Sequence, residues 1–302
     1  MSSIKVNIND KIKSLQPCKN CQDIQIKKFS PIQDVVDFDK LNSDYLRCGC
    51  GKRPLDIVMS HILKIMILEG IAPENATLRR NSPVPLQNFY YSNINPQFIS
   101  KKSLILLHPD FTQSVASRLL CEVPEVECVV KGSPQNTVGQ INKDSQINHF
   151  EVLGGDDTQC NVMRTLLNDK IIISKNQSKH HIEVAMTTEE KLIRLHNFLE
   201  NNEIEKTTAL DCMCGLGALG IYLKKYGFKQ VIFNDVNPEM IEALNYNLEI
   251  NGVSDGFEIT NVAFEDLKID HVNLCIIDAF PTMDLDEIIK KAEEISDNVF
   301  II

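Results

Sequence analysis

Two groups of residues in this chain have the types and the spacing to do chemistry. The first is Asp211-Cys212-Met213-Cys214-Gly215-Leu216-Gly217-Ala218-Leu219-Gly220. Glycines between a strand and a helix let backbone approach a ligand closely, and a carboxylate about twenty residues further on is placed to accept ribose hydroxyls. Asp235 is that carboxylate. The second group is Cys18-x-x-Cys21 and Cys48-x-Cys50, two close pairs separated by 26 residues. Four thiolates so spaced match a tetrahedral structural zinc site, and Gly49 and Gly51 permit its sharp turn. Metal binding would also supply folding free energy to a polar segment with little core of its own. Four unrelated reduced thiols and a redox pair remain open as alternatives. Cys212 and Cys214, one residue apart in the glycine loop, read as small packing residues more readily than as nucleophiles.

The elements that must hold the first group are legible from periodicity. A short strand ends at Asp211 and a helix follows to Tyr226. A second strand, residues 230–233, ends on Asn234-Asp235, and Asn237-Pro238-Glu239 opens a helix that stops at Asn251-Gly252. Strands are expected over 256–263 and 272–277, the latter ending in Asp278-Ala279-Phe280-Pro281. A helix over 284–295 and a strand over 298–302 follow. Strict β/α alternation predicts a doubly wound parallel sheet with its ligand across the carboxyl ends of the strands.

Upstream, helical spacing of apolar residues predicts a helix over 55–69, stopped by Gly70 and Pro73, and the Pro, Asn and Ser content of 73–102 reads as loop. Short apolar runs at 104–107, 126–130 and 171–173, with turns at Gly132-Ser133-Pro134 and Gly154-Gly155-Asp156-Asp157, predict a small α+β domain. Thr187-Thr188-Glu189-Glu190 reads as the opening of a helix. The expected organisation is a cysteine-rich zinc segment at 1–54, a helical and α+β substrate-recognition region at 55–185, and a Rossmann-like domain at 186–302.

The run Asp211-x-x-x-Gly215-x-Gly217-x-x-Gly220, together with Asn234-Asp235-Val236-Asn237-Pro238-Glu239 and residues 245–252, resembles the class I S-adenosylmethionine-dependent methyltransferases. Within them it is most similar to the archaeal and eukaryotic tRNA guanine methyltransferases. The resemblance covers residues 209–252, is faint upstream at Gly154-Gly155-Asp156 and 190–194, and does not extend to residues 1–100. It implies that S-adenosylmethionine is bound by Asp211, Cys212, Gly215, Gly217, Asp235 and Val236, with Asp235 on the ribose. It implies that Asp278 faces the base to be methylated, because the family carries either an Asn-Leu-Pro-like or an Asp-Pro-Phe-Gly-like sequence at this strand end, and Asp278-Ala279-Phe280-Pro281 is closer to the second. Asp278 would orient a nitrogen acceptor or take its proton. Glu265 or Asp266 would have to serve the adenine edge in place of an acid near Asn261 or Val262. The sequence supplies five strands, where the class I sheet usually has seven.

Composition narrows the partner. The net charge is -10, yet through Thr165 there are 19 Lys and Arg against 17 Asp and Glu, and the remainder has 12 against 24. An RNA partner would therefore meet the first half, with Lys52, Arg53, Arg79, Arg80, Lys101 and Lys102 available for phosphates. No apolar run approaches the roughly 18 residues that span a bilayer, and the first residues lack a secretory signal, so a cytoplasmic protein is expected. His61 reads as a core residue, and no histidine receives a role. The leading expectation is methyl transfer to a nitrogen of a tRNA base. A methyltransferase acting on a small molecule or a protein side chain, and a non-catalytic S-adenosylmethionine-binding zinc protein, are the alternatives.

Overall fold

The computed structural model describes residues 8–91, 97–136, 138–140, 144, 146–181, 185–280 and 283–302. The chain divides into two compact units, one of residues 1–142, 146–159 and 176–178, the other of residues 143–145, 160–175 and 179–302.

In the first unit the helix α1, Leu55–Leu68, buries Ile57, Val58, Ile62, Leu63, Ile65 and Met66, and Gly70 at φ +73° ends it as the sequence predicts. Beside it is a four-stranded sheet in the order β1 (Val84–Gln87), β2 (Leu104–His108), β3 (Val126–Lys131), β4 (Glu151–Gly155). β2 and β3 run parallel, joined by helix α2 (Gln113–Glu122), and β1 and β4 flank them antiparallel. Met59 and Ile62 from α1, Leu104 and Leu106 from β2 and Val115 and Leu119 from α2 share one core. Two expectations are corrected here. The stretch 73–102 is not all loop, because Pro85 lies in β1, and an edge strand tolerates a residue without an N–H. Gly154 and Gly155 are not turn residues: they pair with Val129 and Cys128, and a Cβ on Gly155 would lie 1.9 Å from the Glu127 carbonyl oxygen.

Lys52 and Arg53 are also not the surface cations that the sequence suggests. Lys52 is 8% exposed and donates to the Gln16 carbonyl, while Arg53 is fully buried. Arg53 Nη1 meets Glu125 at 3.3 Å, and Arg47 Nη2 meets the other oxygen of the same carboxylate at 2.7 Å. Arg47 further donates to the Gly51 carbonyl at 2.6 Å, which ties the Cys48–Cys50 turn to the start of β3.

The second unit contains residues 160–164 of strand β5 (Thr158–Arg164) and residues 170–175 of strand β6 (Lys170–Asn176), neighbours in one sheet, and helix α3 (Ala185–Asn201). The helix starts two residues before Thr187, and Glu189 accepts from the Arg164 N–H at 2.6 Å instead of capping it. Then follow β7 (Thr208–Asp211), α4 (Ala218–Tyr226), β8 (Gln230–Asn234), α5 (Pro238–Ile250), β9 (Phe257–Thr260), β10 (Leu274–Ile277), α6 (Asp286–Ile295) and β11 (Val299–Ile301). The five strands from β7 onward form one sheet in the order β9-β8-β7-β10-β11, every pair parallel. The expected alternation is present, and the order reverses at β7, so its carboxyl end faces a crevice between the β8 and β10 connections. No helix among the described residues is long and apolar enough to cross a membrane.

A fully buried carboxylate with two guanidinium partners cannot lose its charge without stranding both. Glu125→Ala is expected to cost about 3 to 5 kcal/mol in denaturant unfolding, whereas Asp44→Ala, which removes an 89% exposed partner of Arg47, should change stability by no more than about 0.5 kcal/mol.

Candidate cofactor site and thiolate cluster

Three aspartates meet at the carboxyl ends of the parallel strands: Asp211 ends β7, Asp235 follows β8 and Asp278 follows β10. Asp211 is 1% exposed. Its Oδ2 accepts from the Gly220 N–H at 2.8 Å in the first turn of α4, and its Oδ1 is buried with no partner. Burial raises its pKa to about 7, the neighbouring Asp278 charge adds to this, and the Gly220 N–H works against both. Asp235 is held at both oxygens, by the Gly215 N–H and the Asn237 N–H, each at 2.8 Å. Burial raises its pKa and these two donors oppose the rise. Asp278 pairs with Lys191 of α3 at 2.8 Å, both side chains about one fifth exposed.

The three glycines of the loop differ in what each does. Gly215 (φ +50°) has nothing within 4 Å of where a Cβ would be, so its backbone borders open space. Gly217, at φ +88°, begins α4 in a conformation that L side chains rarely adopt. Gly220 lets α4 approach β8, since a Cβ there would fall 2.2 Å from the Phe233 ring. Cys212 brings no side chain to the site. It is fully buried, and its thiol donates to the Ile276 carbonyl at 2.8 Å. Cys214 is buried as well. Val236 is 50% exposed, and Val262, beyond the neighbouring β9, is 39% exposed. Phe280 stands edge-on to His181, with centroids 5.7 Å apart. Pro281, which completes the sequence motif at this strand end, lies outside the described residues. Glu265 and Asp266 lie exposed on the 3-10 turn Phe264–Asp266.

Three further residues organise the site and were assigned no role from sequence. Asn234, 1% exposed, donates to the carbonyls of Cys212 (3.0 Å) and Val262 (3.1 Å) and accepts from Thr260 Oγ1 (2.8 Å), so it fastens three strand ends together. Asn247 accepts from the Ser174 N–H at 2.8 Å and donates to the Leu216 carbonyl at 3.1 Å, joining β6 to the glycine loop. Lys191 lies 87 residues from Asp278, and no local pattern marks it.

The four cysteines converge in the first unit. Their sulfurs all lie within 4.8 Å of one another, with Cys18–Cys21 at 3.8 Å, Cys18–Cys48 at 3.5 Å and Cys21–Cys50 at 3.6 Å. A tetrahedron with zinc–sulfur bonds of about 2.3 Å has edges of about 3.8 Å, and the observed separations sit near that length. The Cys21 thiol is pushed up to about 12, first by burial, while the Lys52 N–H draws Cys50 down to about 6.

Comparison with known proteins locates the fold. No family model matches the chain. A 62-residue segment is 39% identical to the ribosomal protein L11 methyltransferase of Tolumonas auensis, covering 20% of this chain and 21% of that protein. A 53-residue segment is 43% identical to the tRNA (guanine(26)-N(2))-dimethyltransferase of Metallosphaera sedula, covering 17% of this chain and 14% of that protein. These matches span about one fifth or less of the length of the curated relatives. Among solved structures, the tRNA (uracil-54, C5)-methyltransferase of Pyrococcus abyssi, in complex with S-adenosyl-L-homocysteine, superposes with a TM-score of 0.51 at 15% identity, over 80% of this chain and 55% of that one. The chain thus resembles class I S-adenosylmethionine-dependent methyltransferases, tRNA methyltransferases among them, in its α/β fold and in one short segment of sequence.

The buried Asp211 makes stability depend on pH. Its folded pKa of about 7 lies above the ordinary 3.8, so the folded state holds a proton that the unfolded chain releases. Stability from this group is therefore full below about pH 4 and is lost as pH rises to about 7. Asp211→Asn should remove that dependence. In ligand-free unfolding, wild type should lose on the order of a few kcal/mol relative to the variant between pH 4.5 and 7.5, and parallel curves would contradict the assignment.

Proposed function

We propose that this chain is an S-adenosylmethionine-dependent methyltransferase whose acceptor is a nitrogen of a tRNA base. The observation that carries the reading is the convergence of Asp211, Asp235 and Asp278 on the glycine loop. S-adenosylmethionine presents an ammonium, a sulfonium, two ribose hydroxyls and an adenine. The donor set fits it: the unpartnered buried oxygen of Asp211, the open backbone at Gly215 and the exposed Val236 suit a cationic nucleoside. Asp211, Gly215 and Gly217 would hold its methionine and ribose portion, Asp235 its ribose hydroxyls, and Val236 its adenine. When bound, the cofactor supplies an electrophilic methyl group. What remains for the protein is to align a nitrogen with that methyl group and to relieve it of a proton. Asp278 has this task, and Lys191, 2.8 Å away, fixes its direction.

The tRNA reading draws on the match to the guanine-N2 dimethyltransferase and on the +2 balance of the first 165 residues against -12 in the remainder. A second reading, methyl transfer to a protein side chain, is favoured by the match to ribosomal protein L11 methyltransferases. Incubation with labelled S-adenosylmethionine, total tRNA and ribosomal proteins separates them: label in RNA supports the first, label in protein the second, and label in neither contradicts both. In the cysteine cluster we assign one structural zinc ion to Cys18, Cys21, Cys48 and Cys50, in the segment 1–54 that precedes the recognition region 55–185.

Asp235→Ala should weaken S-adenosylmethionine binding by about 1.5 to 3 kcal/mol, tenfold or more in calorimetric titration. Asp278→Ala should leave that affinity within about twofold while turnover collapses, because its interaction matters chiefly in the transition state. Unchanged binding in the first variant, or undiminished turnover in the second, removes the corresponding assignment.

Metal analysis should find about one zinc per chain, lost when Cys48 and Cys50 are both replaced by Ser. Zinc-free wild type, or a double variant that keeps its zinc, contradicts the site.

A further inference from the structure

The first unit has an opening of its own at the carboxyl ends of its parallel strands. β2 and β3, the parallel pair, end at His108 and Lys131. Beyond them lies a cleft of about 790 Å³ lined by Pro109, by residues 131–133, 135, 136 and 140, and by residues 148–151. Open α/β sheets bind ligands outside the carboxyl ends of parallel strands, and nothing in the methyltransferase reading uses this second instance.

The lining chemistry indicates what would fit. Four lining residues, Gln135, Asn136, Gln140 and Asn148, carry side-chain amides, each with a donor and an acceptor, and the Gln135 oxygen already accepts from Ser133. Phe150 contributes an aromatic ring whose position is set by Gly132, where a Cβ would lie 2.5 Å from the ring. Backbone bonds fix the walls: Gly132 N–H to the His108 carbonyl, Gly139 N–H to Asn148, Asn148 N–H to Gln140 and Phe150 N–H to Ser178. The charges oppose one another, since Lys131 pairs across the strands with Glu151 in register. A phosphate would need a cationic excess that this lining lacks. A planar group with a hydrogen-bonding edge needs an aromatic face and amides, which it has.

We propose that this cleft receives one unstacked nucleobase of the RNA substrate, with Phe150 as the stacking surface and Asn136, Gln140 and Asn148 reading the base edge. The proposal rests on the RNA reading of the chain. Because the recognition is by stacking and neutral hydrogen bonds, its contribution to binding should hardly vary with salt, unlike phosphate contacts.

The test compares wild type with Asn136→Ala/Asn148→Ala and with Phe150→Leu. The exposed Asn136 and the backbone pairing of Asn148 make the first variant gentle on folding, and thermal unfolding checks both. With total tRNA as substrate, each variant should raise KM at least fivefold, at both 50 and 200 mM salt, with S-adenosylmethionine affinity within twofold of wild type. Ultraviolet cross-linking of wild type to tRNA should give an adduct within residues 131–151. If wild type methylates tRNA while both variants keep their KM within twofold, or if the loss in KM disappears at high salt, the cleft assignment is overturned and the functional reading stands. If wild type places no label in tRNA, the functional reading itself is overturned, and the cleft assignment with it.

Discussion

A parallel sheet sends the carboxyl ends of all its strands to one edge, and here three of those ends carry aspartates. Placing Asp211 in one crevice with Asp235 and Asp278 is costly, because burial and the charges of its two neighbours disfavour its ionised form, and Asp211 is driven up to about 7 as a result. The arrangement is sustained by donors aimed at the same edge. Gly220 in the first turn of α4, Gly215 in the loop and Asn237 at the start of α5 each give a backbone N–H to a carboxylate, and Lys191 gives a charge. Two glycines follow from this geometry, since a side chain at 220 would push α4 away from Phe233 of β8, and one at 217 would meet Leu244 of α5 in a backbone conformation that L side chains rarely adopt.

One carboxylate oxygen is left over. Asp211 Oδ1 is buried and unpaired, and an unpaired buried acceptor is destabilising unless something else uses it. A cationic ligand would relieve both that oxygen and the excess negative charge around it. The same principle operates differently in the first unit, where the fully buried Glu125 is already answered by Arg47 and Arg53, and where four sulfurs at near-tetrahedral separations form the other concentration of potential charge. One cluster is neutralised by the chain's own cations, and the others have room for something that the chain does not supply.

Periodicity made the second half legible. The alternation of strands and helices after residue 205, the glycine loop, Asp235 and Asp278 could be placed from sequence because each depends on neighbours within about twenty residues. The cysteine cluster was legible for another reason: thiolate pairs at ligand spacing identify one another without any fold. What escaped is held by side-chain bonds to distant backbone. Asn247 reaches Ser174 across 73 residues and Asn251 reaches Ile172 across 79, so two amides serve the edge of β6 where another strand would otherwise lie. Strand β1 escaped because Pro85 reads as loop, although an edge position tolerates it. Lys52 and Arg53 were misread as surface charge because their partners, the Gln16 carbonyl and Glu125, lie 36 and 72 residues away and their own neighbourhood does not reveal them.

The occupant of the crevice above Gly215 decides whether the three aspartates form a cofactor site. A crystal structure grown with S-adenosylmethionine tests this most directly. The expected result is a ligand lying across the carboxyl ends of β7 and β8, its ribose hydroxyls within hydrogen-bond distance of Asp235 and its ammonium end toward Asp211. A ligand bound elsewhere, or a crevice that stays empty at saturating cofactor while Asp211 keeps its unpaired oxygen, would contradict it.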